Sequence, residues 1–274
     1  MLTYCYLNGA IIPFKNASLP LNDLGVLRGY GIFDYIRARN GKFCFIDRHI
    51  DRFFGSAKKM GLQVPITKEK LFNTLTELIQ KNKDPNAHAR IVLTGGESSN
   101  GISKDGEENM YILFHEDDPF PGEVYTEGVK LMTIPYQRDL VDIKTLNYAP
   151  AVKNQAQQKK EEAFEILYTP DGCITEASRA NFFLWNGDVL VTPKEGILHG
   201  ITRDVVLELA QKDYKIEERE VKIGELESAT EAFITATGKD IVPVVKVDNM
   251  VVGDGKVGRN TQKLMDLYLA AAKE

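Results

Sequence analysis

Cysteine is scarce. The 274 residues hold three, Cys5, Cys44 and Cys173, and none belongs to a C-x-x-C pair. That spacing argues against a disulfide framework and against a zinc site, so no metal is expected. Long apolar runs are missing too, and nothing approaches the ~18 consecutive apolar residues of a membrane span. The opening MLTYCYLNGAIIPF lacks a basic start followed by an apolar stretch, and does not read as a signal peptide. There is no excess of positive charge. With 34 basic against 39 acidic residues the formal charge is −5, which attracts neither nucleic acid nor an anionic membrane. Lys159 and Lys160 are followed at once by Glu161 and Glu162, a solvated helix face. Repeats and low-complexity tracts are absent. What remains is 43% hydrophobic and 27% charged residues, ordinary values for a globular chain, and the expected location is the cytoplasm.

The periodicities mix strands and helices in both halves. Tyr4–Phe14 reads as a hairpin about Asn8-Gly9, and Ile32–Arg39 with Lys42–Ile46 as another about Asn40-Gly41. Arg48–Met60 reads as a helix. So does Lys68–Asn82, with Thr67 as its N-cap and Leu71, Phe72, Leu75, Leu78 and Ile79 on one face. Strands follow at Arg90–Thr94 and Met110–His115. DDPFPGE then marks a linker. Beyond it come strand-like Val129–Ile134, a helix over Ala151–Ala163, strands near 164–168, 181–185 and 189–191, a helix over Thr202–Lys212, strands at 232–235 and 241–247, and a closing helix around Thr261–Ala272. Irregular alternation favours two α+β domains over a doubly wound sheet. The expected division is 1–117, a linker at 118–128, and 129–274 carrying the reactive lysine.

Five places carry chemistry. Lys144, in VDIKTLNYAP, lies between Ile143 and Leu146; partial desolvation there would free its amine for Schiff-base formation. Glu176, in TEASRANFFLW, either accepts from a protonated heterocycle nitrogen or caps a turn before a strand. In GILHGITRDVV, Gly200 lets the chain turn, and a helix start at Ile201–Thr202 offers N–H groups and a hydroxyl to a phosphate, or is simply a capped helix. In ITATGKD, Thr235, Thr237 and Gly238 end a strand in a turn able to donate to phosphate. Arg52 forks onto a phosphate or pairs with a nearby carboxylate such as Asp47 or Asp51.

Taken together, RGYGIFDYIR, HIDRFF, DIKTLNY, ITEASRANFF, HGITRDVV, the Thr-rich strand end and the VGDGKVG hairpin resemble, in order and spacing, the class IV pyridoxal-phosphate aminotransferases. That family includes D-amino-acid and branched-chain aminotransferases and aminodeoxychorismate lyase, and the resemblance spans nearly the whole chain. It implies a two-domain α+β fold and pyridoxal 5'-phosphate as cofactor, with an active site between the domains near a homodimer interface. It implies further that Lys144 carries the cofactor and shuttles the proton, and that Glu176 keeps the pyridine nitrogen protonated. Arg52, Ile201, Thr202 and Thr237 would hold the phosphate. Leu198 would pack on the ring face, and Tyr148 would reach the phenolic oxygen.

The chain departs from the family at the substrate carboxylate. D-amino-acid enzymes carry an Arg-x-His trap after the strand that ends at Thr94, where this chain reads TGGESSNG, and a tyrosine where it has Phe33. Phe33, Arg37 and Arg90 fit the branched-chain pattern, but the loop after Arg90 does not. Arg28, Arg179 and Lys239 are further cations that would approach the carboxylate, or else serve only as salt-bridge or surface residues. The expected reaction moves an amino group between an amino acid and a 2-oxo acid, with a D-amino acid first and a branched-chain L-amino acid next. The alternative is a lyase that makes 4-aminobenzoate and pyruvate.

Overall fold

A computed structural model describes residues 3–273. Their contacts divide into two units. The first runs to Asp118 and takes in Ile143–Asn147; the second consists of Pro119–Asp142 and the chain from Tyr148 onward. The sequence reading put 129–274 in one domain. The five-residue return to the first unit follows from backbone pairing described below, which local periodicity does not reveal.

The first unit contains β1 (Tyr4–Leu7), β2 (Ala10–Pro13), α1 (Leu24–Arg28), β3 (Gly31–Arg39), β4 (Lys42–Phe43), α2 (Ile46–Met60), α3 (Lys68–Asn82), β5 (His88–Thr94) and β6 (Asn109–His115). Its antiparallel sheet has the order β2-β1-β6-β5-β3-β4. Asn8 and Gly9 both have positive φ, as the first turn requires. Ile32, Ile36, Ala38, Ala89, Ile91, Leu93, Met110 and Ile112 form one core with Ile50, Phe53 and Ala57 of α2 and Leu71, Leu75, Leu78 and Ile79 of α3. Strand alternation therefore turns Phe33, Tyr35, Arg37 and Arg90 to the other face. The Thr67 hydroxyl caps α3, accepting from the Lys70 N–H at 3.1 Å. Phe72, expected on the buried face, is exposed.

The second unit contains α4 (Glu123–Thr126), β7 (Val129–Ile134), α5 (Ala149–Lys153), α6 (Gln155–Lys160), β8 (Glu165–Tyr168), β9 (Cys173–Ile174), β10 (Glu176–Ala177), β11 (Ala180–Asn186), β12 (Val189–Pro193), α7 (Ile201–Ala210), β13 (Lys215–Arg219), β14 (Val221–Lys222), β15 (Glu231–Ala236), β16 (Asp240–Val247), β17 (Met250–Val251) and α8 (Arg259–Ala271). The main sheet runs β10-β8-β7-β16-β15-β11-β12-β13, and β10 also pairs with β11. Six strands therefore close on themselves as a small barrel. Leu131, Leu167, Phe182, Leu184, Ile234, Val242 and Val244 pack together as part of one core. The single helix expected over 151–163 is instead two short ones, interrupted at Asn154, whose side chain donates to the Pro150 carbonyl. The expected linker holds the one-turn α4. VGDGKVG follows β17 as turns leading into α8. Among the described residues no helix is long and apolar enough to cross a membrane.

Candidate active site

In the first unit, residues 143–147 lie along the start of β3. The Phe33 N–H donates to the Lys144 carbonyl at 2.9 Å, and the Leu146 N–H to the Gly31 carbonyl at 3.1 Å. This pairing fixes the backbone of Lys144 as a strand would. It sets the ammonium 4.7 Å from the Phe33 ring centroid. On the same face, the Arg90 guanidinium lies 5.9 Å from the Phe33 ring and 5.6 Å from the Tyr35 ring. The Phe33 ring is thus close to both Lys144 and Arg90. Arg37 is committed to Asp117 at 3.2 Å, and Asp117 also takes His88 Nε2 at 2.8 Å. Arg28 is exposed at the end of α1, where it donates to the Leu27 carbonyl.

Arg52 sits behind this face. Its Nε and Nη2 donate to Asp34 at 2.8 Å each, a bidentate fork, and His49 Nδ1 meets the same carboxylate at 2.7 Å. The partner is therefore Asp34, across the core, and not Asp47 or Asp51. Asp34 is fully buried. Burial pushes its carboxyl up, yet the Arg52 charge and the hydrogen bonds from His49 and Arg52 outweigh this and hold it well below the usual carboxylate range. Burial, with Arg52 and Lys144, holds His49 below its ordinary value against the pull of Asp34. His49 is accordingly neutral and donates through Nδ1.

In the second unit, β10 presents Glu176 from the barrel wall, 6% exposed. One carboxylate oxygen accepts from Arg138 Nε at 2.9 Å, the other from the Leu198 N–H at 2.9 Å. Arg138 is buried as well and donates to the Val141 carbonyl. The sequence reading missed Arg138: it is a lone arginine in a loop, and its partner is 38 positions away. The Leu198 carbonyl in turn accepts from Asn181 Nδ2 at 2.7 Å. Next comes Gly200, where a Cβ would stand 2.2 Å from Asn181 Oδ1, so no larger residue fits without displacement. It opens α7, whose N-terminus no side chain caps. Ile201 and Thr202 form the first turn. Both are buried, and the Thr202 hydroxyl is 3.4 Å from that of Tyr268.

Thr235 lies opposite Asn181 in the β15–β11 register, and its buried hydroxyl has no hydrogen-bond partner among the described residues. Thr237 occupies the turn between β15 and β16. Tyr148 precedes α5. Burial pushes its phenol up to about 12, opposed by Arg138 and reinforced by Glu176 and Glu165, so it is a hydroxyl donor at neutral pH. Arg179 is largely exposed, 3.9 Å from Glu165. Lys239 is buried, its ammonium on Glu165, and so offers no solvent-facing charge.

The first unit therefore gathers Lys144, Phe33 and Arg90, with Arg52 held from behind and Arg28 apart. The second gathers Glu176, Leu198, Ile201 and Thr202 around Asn181. Comparison with known proteins adds to this picture. The family model described as amino-transferase class IV matches residues 31–247. A Methanocaldococcus jannaschii protein named as a branched-chain-amino-acid aminotransferase is 34% identical, over 96% of this chain and 94% of its own. A D-alanine aminotransferase of Staphylococcus haemolyticus is 30% identical, over 97% and 96%. The crystal structure of a branched-chain aminotransferase from Thermoproteus uzoniensis, with norvaline, superposes with a TM-score of 0.88 at 25% identity, covering 98% of this chain and 94% of that one.

Proposed function

The chain belongs to the class IV aminotransferases, and we propose that it uses pyridoxal 5'-phosphate to move the amino group of a branched-chain amino acid to a 2-oxo acid. The observation that carries the cofactor assignment is Glu176. Its buried carboxylate accepts from Arg138 Nε and from the Leu198 N–H, an arrangement that suits it to a protonated pyridine nitrogen. The buried Thr235 hydroxyl and the uncapped start of α7 also fit an anionic group.

When bound, the cofactor supplies a sink for the electron pair left as the substrate Cα–H bond breaks. Lys144 would hold it covalently and would then carry the substrate's α-proton on Nζ. Glu176 would accept from the protonated ring nitrogen, held in place by Arg138 and the Leu198 N–H. Tyr148 would donate its hydroxyl to the phenolic oxygen. Ile201, Thr202 and Thr237 would bind the phosphate through N–H and hydroxyl groups, with Arg52 aimed by Asp34. Leu198 would pack on a ring face. Phe33 shields the Lys144 amine from water.

A branched-chain donor is favoured over the D-amino acid first expected because the group beside Lys144 is an apolar ring and the Arg-x-His trap is lacking. Arg28, Arg179, Arg37 and Arg90 are the proposed contacts of substrate carboxylates. A homodimer is the proposed assembly; exposed Leu21, Val26, Leu27 and Ile102 support it. The deciding experiment follows the loss of cofactor absorbance at Lys144 with L-leucine, L-valine, D-alanine and D-glutamate, each alone. Bleaching by L-leucine and L-valine supports the proposal. Bleaching by D-amino acids only, or pyruvate released from aminodeoxychorismate without an acceptor, replaces it.

A further inference from the structure

The second unit buries another carboxylate besides Glu176. Glu165, on β8, is fully buried. One oxygen accepts from the Ser178 hydroxyl at 3.1 Å and from the Arg179 backbone N–H; the other takes the Lys239 ammonium. Lys239 is 4% exposed and sits 5.3 Å from the Phe164 ring centroid, and the Tyr125 hydroxyl donates to its carbonyl at 3.4 Å. Burial pushes the Glu165 carboxyl up, but Lys239 and Arg179 outweigh it and keep it ionised.

These bonds join three segments. Glu165 belongs to β8. Ser178 and Arg179 close the hairpin between β10, which carries Glu176, and β11. Lys239 ends the turn between β15 and β16 that carries Thr237. We propose that Lys239 and Glu165 are positioning residues, whose buried ion pair fixes the Thr237 turn against the strand that bears Glu176. Glu165 thereby sets the spacing between the group that meets the cofactor's phosphate and the carboxylate that meets its ring. This rests on the roles given above to Thr237 and Glu176. An ammonium suits the task because a buried carboxylate with three donors is satisfied without water, and losing any one donor frees the segment attached to it.

The test titrates cofactor-free protein with pyridoxal phosphate and, separately, with pyridoxal, which lacks the phosphate. Binding is read by absorbance and by borohydride trapping, and the ratio of the two dissociation constants is the observable. Lys239→Met and Glu165→Gln should each weaken pyridoxal phosphate by about tenfold or more while moving pyridoxal less than about twofold. Lys239→Arg should keep the parent ratio. The double variant Lys239→Met/Glu165→Gln should match the worse single variant, since one tie is lost only once. It also leaves no unpaired buried charge, so it decides the matter if Lys239→Met fails to fold. A parent-like ratio in the double variant, or equal weakening of both ligands, overturns the inference. If the parent itself binds no pyridoxal phosphate, the functional reading fails and the brace with it.

Discussion

Arg138 Nε donates to Glu176 Oε1 at 2.9 Å, and both side chains are buried. An ion pair so placed is costly to halve, because the partner left behind keeps its charge without compensation. Arg138→Met should therefore lower kcat/KM by about ten- to a hundredfold, the equivalent of about 1.5–3 kcal/mol for one charge-assisted hydrogen bond. Steady-state kinetics with L-leucine would show it. Unchanged kinetics would mean that Glu176 needs no counter-charge.

Lys144→Ala should abolish turnover and the borohydride-stable link to pyridoxal phosphate. Mass spectrometry of the reduced protein gives the answer directly. A cofactor mass recovered on another lysine would move the assignment elsewhere.

The buried triad of Asp34, His49 and Arg52 makes stability depend on pH. His49 is held below its ordinary value in the folded state, so once pH falls through ~6.5 the unfolded chain binds a proton that the folded one refuses, and stability is lost. Asp34, held low when folded, gives stability that is present above ~4 and lost as pH drops toward its folded value. His49→Gln should thus show a smaller fall in Tm between pH 7.5 and 5.5 than the parent. Equal falls in calorimetry would place the proton uptake on other groups.

Arg28 and Arg179 are exposed cations with weak or local partners. If they meet the substrate carboxylate, Arg28→Ala and Arg179→Ala should each cost about tenfold or more in kcat/KM on amino acids. Both should largely spare 1-phenylethylamine, which has no carboxylate. Should amine and amino acid suffer alike, Arg90 or Arg37 takes the role.

Local chemistry was readable where its cause is local. Asn8-Gly9 and Asn40-Gly41 supplied the positive φ of two hairpin turns, and Thr67 the cap of α3, because each depends on its own neighbours. Lys144 and Glu176 stood out through motifs. Arg138 did not, since its meaning lies in a carboxylate 38 residues on. Asp34 was hidden for a related reason. On an alternating strand it occupies an apolar position, and only the return of α2 reveals Arg52 and His49 facing it. Lys239 looked like a surface lysine because no local pattern shows that Glu165 is buried beside it.

The chain leaves and re-enters its first unit, with crossings at 118/119, 142/143 and 147/148. Neither unit is therefore a contiguous stretch of gene. A fragment ending at Asp118 lacks Lys144, and one starting at Pro119 carries it without the strand that fixes its backbone. A split reporter, a domain swap with a relative or a truncation library cut at 118 would separate the lysine from its support. Only a graft that moves Ile143–Asn147 together with β3 keeps them joined.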